Sequence, residues 1–307
     1  MKKKINFLLL GYSSFAQRRL IKSLSKIKNI KITICSKSKK GKNIYFDNYL
    51  KAINSKPDLV YISLTNHLHY KYAKIVLKKN INLIVDKPLA LNLKQTKELV
   101  RIAKKRKLLL SEAIVFNYHY VFKKIIKILN GLNNLEYIHS NFNVPQIKSL
   151  KKINYTKSDS FMDMGPYAAS LIRLYFNNKL DKIISFKDSF ADKKNIKSFS
   201  VFAKNKKMKY FGSFGVGSEY MSQIVYFSKE KIIYLNHQAF ALPSNKKIQL
   251  IIKSKNKFQT IHIKKDDCIK NYFNIILKSL KNKRYDDHYK KIIKNAQIKE
   301  KIKIKSL

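Results

Sequence analysis

The sequence predicts a two-domain α/β chain: a doubly wound parallel sheet, then an α+β domain with a mostly antiparallel, open sheet. Three observations predict it. At 307 residues the chain is too long for one ordinary compact domain and fits two. Up to about residue 120, short continuous apolar runs alternate with stretches of helical spacing, the pattern of a parallel sheet covered on both faces. Beyond that point the rhythm changes to successive strand-like runs joined by short turns rich in Lys, Asn and Ser. The domains are therefore expected at 1–120 and 121–307.

In the first part the strand-like runs are Ile5–Leu10, Ile30–Cys35, Leu59–Leu64, Ile81–Val85 and Leu108–Leu110. Between them Ala16, Leu20, Leu24 and Ile27 share a helical face, as do Ala73, Val76 and Leu77. Asn92 to Gln95 reads as a cap, followed by Leu99, Val100 and Ala103 on one face. In the second part a helical segment at Val121–Leu129 leads to the run Leu135–Val144, and a second helix covers Met162–Phe176. An antiparallel meander follows through Phe199–Ala203, Tyr210–Gly215, Ile224–Phe227, Ile232–Phe240, Ile248–Ile252 and Phe258–Ile263. Ile269, Phe273, Ile276 and Leu280 then mark an amphipathic helix, and the tail from Tyr285 is expected to be helical.

Composition narrows the class. Apolar residues make up 45% and aromatic residues 12%, enough for packed cores and against disorder. No apolar run approaches the ~18 residues of a membrane helix. The start, with Lys2–Lys4 before Ile5–Leu10, resembles a signal peptide, but Asn6 breaks the run and no small-residue cleavage site follows, so it reads as a buried strand. Cys35 and Cys268 lie far apart, in no metal-like spacing, which points to a reducing, cytoplasmic setting. The formal charge is +48, from 60 Lys and six Arg against 18 acids. This excess is spread over both halves with no basic arm, and a reader of bases would be richer in Arg. Specific nucleic-acid binding is therefore not expected, and a salt-sensitive affinity for polyanions is.

Four features carry chemistry. Gly11-Tyr12-Ser13-Ser14-Phe15-Ala16 closes the first strand where a helix begins. It follows G-x-G-x-x-G/A, with Ser13 at the middle glycine. Such a turn presents a helix N-terminus to a pyrophosphate; a plain strand-to-helix turn is the other reading. The second strand ends in Ser36-Lys37, with Lys39 and Lys40 beyond, where a ribose-binding carboxylate would stand. Its absence favours NADP over NAD. Thr65-Asn66-His67-Leu68-His69 follows a strand at its carboxyl end, and the next strand ends in Asp86-Lys87-Pro88, where a cis bond is possible. Ser160 to Arg173 holds Asp163 and Tyr167 four residues apart, on one helix face. Asp163 suits a helix cap as well as a substrate contact. His119, beside Asn117 and Tyr118, is either a substrate contact or a polar core residue. No metal-ligand spacing is present among the His and Cys.

In this order and spacing the four features resemble the Gfo/Idh/MocA family of nicotinamide-dependent oxidoreductases, along nearly the whole chain. That family has a Rossmann domain with a glycine-rich turn, a P-N-x-x-H-like loop, an E-K-P motif and a D-x-G-x-H/Y motif opening a helix of the second domain. Here Thr65 replaces the Pro while Asn66 and His69 are kept, Asp86 replaces the Glu, and Asp163-x-Gly165-x-Tyr167 forms the last motif. Asn117 stands where an Arg is often found. The resemblance implies a catalytic set of Lys87, Asp163 and Tyr167. It implies a cofactor set of Gly11, Tyr12, Ser13, Ser14, Phe15, Ala16, Ser36, Lys37, Thr65, Asn66, His69, Asp86 and Lys87. Lys87 would orient the reacting oxygen, Tyr167 would be the general acid/base and Asp163 would hydrogen-bond the substrate. The implied activity is hydride transfer to or from an alcohol or ketone carbon of a sugar, cyclitol or nucleotide-linked sugar. The open sheet face would join subunits in a dimer or tetramer, since a bare apolar face is costly. A non-catalytic cofactor-sensing protein of the same fold is the alternative.

Overall fold

The structure is a computed structural model, and it describes residues 4–38, 41, 43–145, 160–176, 180–189, 196–236 and 238–304. Lys39 and Lys40 lie outside the described residues. The chain divides into two units, 1–114 with 269–296, and 115–268 with 297–307.

The first unit holds a six-stranded parallel sheet. Its strands are β1 (Ile5–Leu10), β2 (Ile30–Cys35), β3 (Ile44–Phe46), β4 (Leu59–Ile62), β5 (Asn82–Asp86) and β6 (Leu110–Ala113). They run in the order β3-β2-β1-β4-β5-β6, every pair parallel. The chain winds outward from β1 in one direction and, from β4, in the other. Strand order therefore reverses between β1 and β4, and in such sheets ligands bind beyond the carboxyl ends at that point.

A helical stretch follows β1, with a π-helical turn at Ala16–Leu20 running into α1 (Ile21–Leu24). The other helices between these strands are α2 (Tyr49–Asn54), α3 (Asn66–Lys78) and α4 (Leu93–Lys105). The cap expected at Asn92 is present: its Oδ1 accepts from Gln95 N at 2.9 Å. Ala73, Val76 and Leu77 of α3 and Leu99, Val100 and Ala103 of α4 pack on Leu8, Leu10, Val60, Ile62 and Leu83. The strand β3 and helix α2 were not expected from periodicity.

The domain limits at residue 120 need correction. The amphipathic helix α7 (Cys268–Asn282), expected in the second domain, groups with the first sheet through residues 269–296. Its Phe273 sits edge-on to Phe7, centroids 5.8 Å apart, and stacks on Tyr61 at 6.2 Å. The sheet has two apolar faces, and a helix from the end of the chain packs on the one that Phe7 and Tyr61 present.

The second unit contains α5 (Tyr120–Ile128), β7 (Leu135–Val144) and α6 (Ser160–Tyr175), then β8 (Lys182–Ser189), β9 (Ile196–Lys204), β10 (Lys209–Val216) and β11 (Met221–Ser228). After these come β12 (Ile232–Leu235), β13 (Ile248–Ser254) and β14 (Lys257–Ile263). The final helix, α8 (Asp286–Ile304), contributes its last residues here. The eight strands form one sheet in the order β14-β13-β12-β11-β7-β10-β9-β8. Two expectations change. The meander is interrupted where β7 and β10 pair in parallel, and the run Ile232–Phe240 is strand only to Leu235. Phe161 of α6 meets Phe199 edge-on at 5.3 Å, and Phe199 stacks on Phe214 at 5.1 Å. On the opposite face Tyr137 stacks on Phe227 at 3.9 Å, and Phe211 lies against Phe202 and Tyr137. Among the described residues, no helix is long and apolar enough to cross a membrane.

Candidate functional site

At the end of β1 the chain turns sharply. Gly11 has φ +93°, and its N–H donates to Cys35 O at 2.9 Å. A Cβ here would lie 2.4 Å from Ser63 O, so strand and turn approach more closely than any side chain allows. Tyr12, Ser13 and Phe15 are half-buried, Ser14 is exposed and Ala16 is buried. Ser13, at the middle glycine position, turns its hydroxyl inward. Its Oγ lies 2.7 Å from Ser63 Oγ and accepts from Ala16 N at 3.2 Å.

Strand register brings the next motif alongside. Leu10 pairs with Ile62 and Ile62 with Val85, so Gly11, Ser63 and Asp86 close three neighbouring strands. Tyr61 donates to Asp86 Oδ1 at 2.7 Å and Ser63 to Oδ2 at 3.1 Å. Burial pushes the Asp86 carboxyl above its usual range, opposed by the Tyr61 bond, by His69 and Lys87 electrostatically, and by Ser63. Lys87 is half-buried, and the Lys87–Pro88 peptide is cis.

Two side chains hold this loop. His69 has Nδ1 2.7 Å from Pro88 O and Nε2 2.9 Å from Leu64 O. It is fully buried, so the expected cofactor contact is corrected: both ring nitrogens are occupied by carbonyls, and the ring ties one loop to the other. Glu112 of β6 accepts from Leu89 N at 3.0 Å and from Asn295 Nδ2 at 3.3 Å. Asn66 opens α3 and is half-buried, and Thr65 before it is exposed. At the end of β2, Ser36 is buried, its N–H donating to Phe46 O at 2.9 Å. Lys37 is exposed, with Nζ 5.0 Å from the centroid of the Tyr49 ring. Burial pushes the neighbouring Cys35 thiol up to about 12.

In the second unit Asp163 lies in the first turn of α6, with Tyr167 one turn later, both half-buried. The Tyr167 ring is set among Phe116, Phe142 and Phe240, centroids 5.3–5.6 Å away. His119 is buried and caps α5: its Nδ1 accepts from Val121 N at 3.1 Å. Asn117 Oδ1 is buried with no hydrogen-bond partner among the described residues.

Sequence reasoning missed Tyr61, Ser63 and Glu112. Polar residues ending, or set within, otherwise apolar strands at the carboxyl edge were the available signal. A concavity of about 510 Å³ opens at the amino ends of β4 and β5, lined by Lys56, Asp58, Lys79 and Asn82 among others, and contains no motif residue. Among the described residues, no group of three or more His, Cys, Asp or Glu is placed to hold a metal.

Residues 5–114 match the Gfo/Idh/MocA model, described as an oxidoreductase family with an NAD-binding Rossmann fold, and over them the resemblance drawn from the motifs is borne out. KijD10, a 3-ketoreductase from Actinomadura kijaniata solved with NADP and TDP-benzene, superposes with a TM-score of 0.90 at 16% identity, covering 99% of this chain and 98% of that one. GnnA, a UDP-N-acetylglucosamine 3-dehydrogenase from Acidithiobacillus ferrooxidans, gives 0.79 at 12% identity over 99% and 98%. At such identities the likeness establishes the fold of the whole chain. A trans-1,2-dihydrobenzene-1,2-diol dehydrogenase of Xenopus tropicalis is 23% identical over 133 residues, 42% of this chain and 40% of the relative's length.

Proposed function

We propose that this protein is an NAD(P)-dependent oxidoreductase. It would transfer hydride to or from a secondary alcohol or ketone carbon of a sugar, cyclitol or nucleotide-linked sugar, with NADP as the preferred cofactor. One observation carries the reading. The Gly11 turn, Ser63, Asp86 and Lys87 gather on neighbouring carboxyl ends, where strand order reverses. The names of the structural relatives, a 3-ketoreductase with NADP and a nucleotide-sugar 3-dehydrogenase, support the substrate class.

The residues present fit a dinucleotide. The turn runs directly into a helix, and Gly11 lets its backbone lie against β4. The residue directly after β2 is Ser36 and not a carboxylate, and Lys37 stands next to it with its ammonium over an aromatic face, which suits a 2′-phosphate. The nicotinamide, when bound, supplies or accepts the hydride. Lys87 donates a hydrogen bond to the substrate oxygen and opposes the negative charge it develops. Tyr167 exchanges the proton of that oxygen, and its aromatic setting restrains the ring. Asp163 accepts from a substrate hydroxyl.

The outer face of the second sheet supports assembly into a dimer or tetramer, with Phe186 55% exposed and Phe211 42% exposed. Two buried cysteines, Cys35 and Cys268, suit a reducing cytoplasm. The test is Lys87→Met and Tyr167→Phe, assayed with NADPH and NADP on a panel of sugars and nucleotide-linked sugars. Each variant should lose about a hundredfold or more in turnover, with cofactor binding retained. Full turnover in both would overturn the assigned roles. Cofactor binding without turnover on any panel member in the unaltered protein would favour a sensor.

A further inference from the structure

Ser13 departs from the glycine-rich pattern, yet its hydroxyl joins two hydrogen bonds, to Ser63 Oγ and from Ala16 N. Ser63 spends its one proton on Asp86 Oδ2, so the proton in the 2.7 Å Ser13–Ser63 bond belongs to Ser13. Ser13 Oγ in turn accepts from Ala16 N, a backbone donor of the first helical turn. The donors then point one way: Ala16 N–H to Ser13, Ser13 to Ser63, Ser63 to Asp86. Tyr61 closes the far carboxylate oxygen at 2.7 Å. This chain crosses the carboxyl ends of β1, β4 and β5 and ends on the residue before Lys87.

We propose that Ser13 is a positioning residue whose bond to Ser63 couples the pyrophosphate-binding turn to Asp86, and so to Lys87. The inference rests on the reading of this crevice as a dinucleotide site. Hydrogen bonds in such a row reinforce one another, so a change at either end is felt at the other. The row holds the turn, through Ser13 Oγ and the Ala16 N–H, in the form that a pyrophosphate meets, and the same row sets how far Asp86 draws on the neighbouring ammonium. Binding of the dinucleotide and placement of the amine become one event, which a glycine at position 13 could not link.

A double-mutant cycle on NADPH affinity, read by nicotinamide fluorescence, tests the coupling. Ser13 and Asp86 are joined through Ser63, so independent roles would add. Ser13→Ala should weaken NADPH binding about fivefold, the size of one hydrogen bond. In an Asp86→Asn background the same change should cost less than about twofold. Ser13→Thr, which keeps the hydroxyl, should restore most of the affinity. Equal losses from Ser13→Ala in both backgrounds would overturn the proposal while leaving the cofactor site intact. Should Asp86→Asn not fold, Ser63→Ala provides the second corner of the cycle, with the same outcomes. An unaltered protein that binds neither NADPH nor NADH is a different result: it would remove the dinucleotide reading and, with it, this inference.

Discussion

The two units use their sheets differently, and the contrast explains where chemistry can be read. In the first, both faces of a parallel sheet are spent on packing: Leu8 and Leu10 meet α3 and α4, while Phe7 meets α7. Polar groups are left the strand ends, where Ser13, Ser63, Asp86 and Lys87 collect. In the second, one sheet face is covered by α6, and the other presents Tyr137, Phe211 and Phe227. There the residues assigned to chemistry, Asp163 and Tyr167, come from the covering helix and not from strand ends. A parallel α/β layer thus leaves its polar groups to an edge, whereas an open sheet frees a face, and under the proposed roles a helix would carry the reacting groups.

Truncating one buried aromatic in each unit has the largest expected effect on stability. Phe273→Ala should cost the first unit about 3–5 kcal/mol, and Phe199→Ala should cost the second about as much. Urea unfolding, followed with NADPH fluorescence for the first unit and circular dichroism for the whole chain, separates them. If each substitution shifts a different transition, the units are energetically distinct. One shared transition that moves equally for both would erase the contrast.

The next effect is the acid sensitivity of the first unit. His288 is buried, with Nδ1 3.1 Å from Ser111 Oγ and Nε2 3.0 Å from Ser279 Oγ. Burial, with Lys291 adding to it and Asp287 opposing, holds its pKa down at about 4. The unfolded chain, with an ordinary imidazole near 6.5, binds more protons between the two values. The stability is therefore complete above about pH 6.5 and lost as pH falls towards 4, roughly 3 kcal/mol in all. Thermal unfolding from pH 7 to 4.5 should show this slope, and His288→Gln should flatten it. A slope unchanged in that variant would place the sensitivity elsewhere.

How much of this was legible follows from what periodicity encodes. The bounds of β1, β2 and β7 stand in the sequence as continuous or alternating apolar runs. The cap at Asn92 was legible because a capping side chain acts within four residues. Missed were β3, three residues long, and α2, six, because neither completes two periods of its pattern, although Asn48 caps α2 by accepting from Leu50 and Lys51 N–H. Pairing is not encoded in any single run, so the parallel contact between β7 and β10 was invisible. So was the destination of α7, whose apolar face was plain while the sheet it covers was not. At the site, motifs located Gly11, Asp86 and Lys87. Ser63 and Glu112 belong to no motif and act through strand register, and His69 was expected on the cofactor when it fastens two loops.

The smallest effect is cofactor preference, and it tests whether the edge of the first sheet is tuned as well as placed. Lys37 is exposed, so its charge is screened and a single ammonium contributes modestly. Lys37→Ser should lower the preference for NADPH over NADH by about fivefold, chiefly through weaker NADPH binding, with NADH affinity nearly unchanged. Tyr49→Leu should act in the same direction and by less, since the ring only holds the ammonium over its face at 5.0 Å. Raising salt should shrink the Lys37 effect, because a surface charge pair is what it measures. Equal losses for both cofactors would instead mark Lys37 as a general electrostatic contributor in a chain of 60 lysines, leaving discrimination to the missing carboxylate at Ser36.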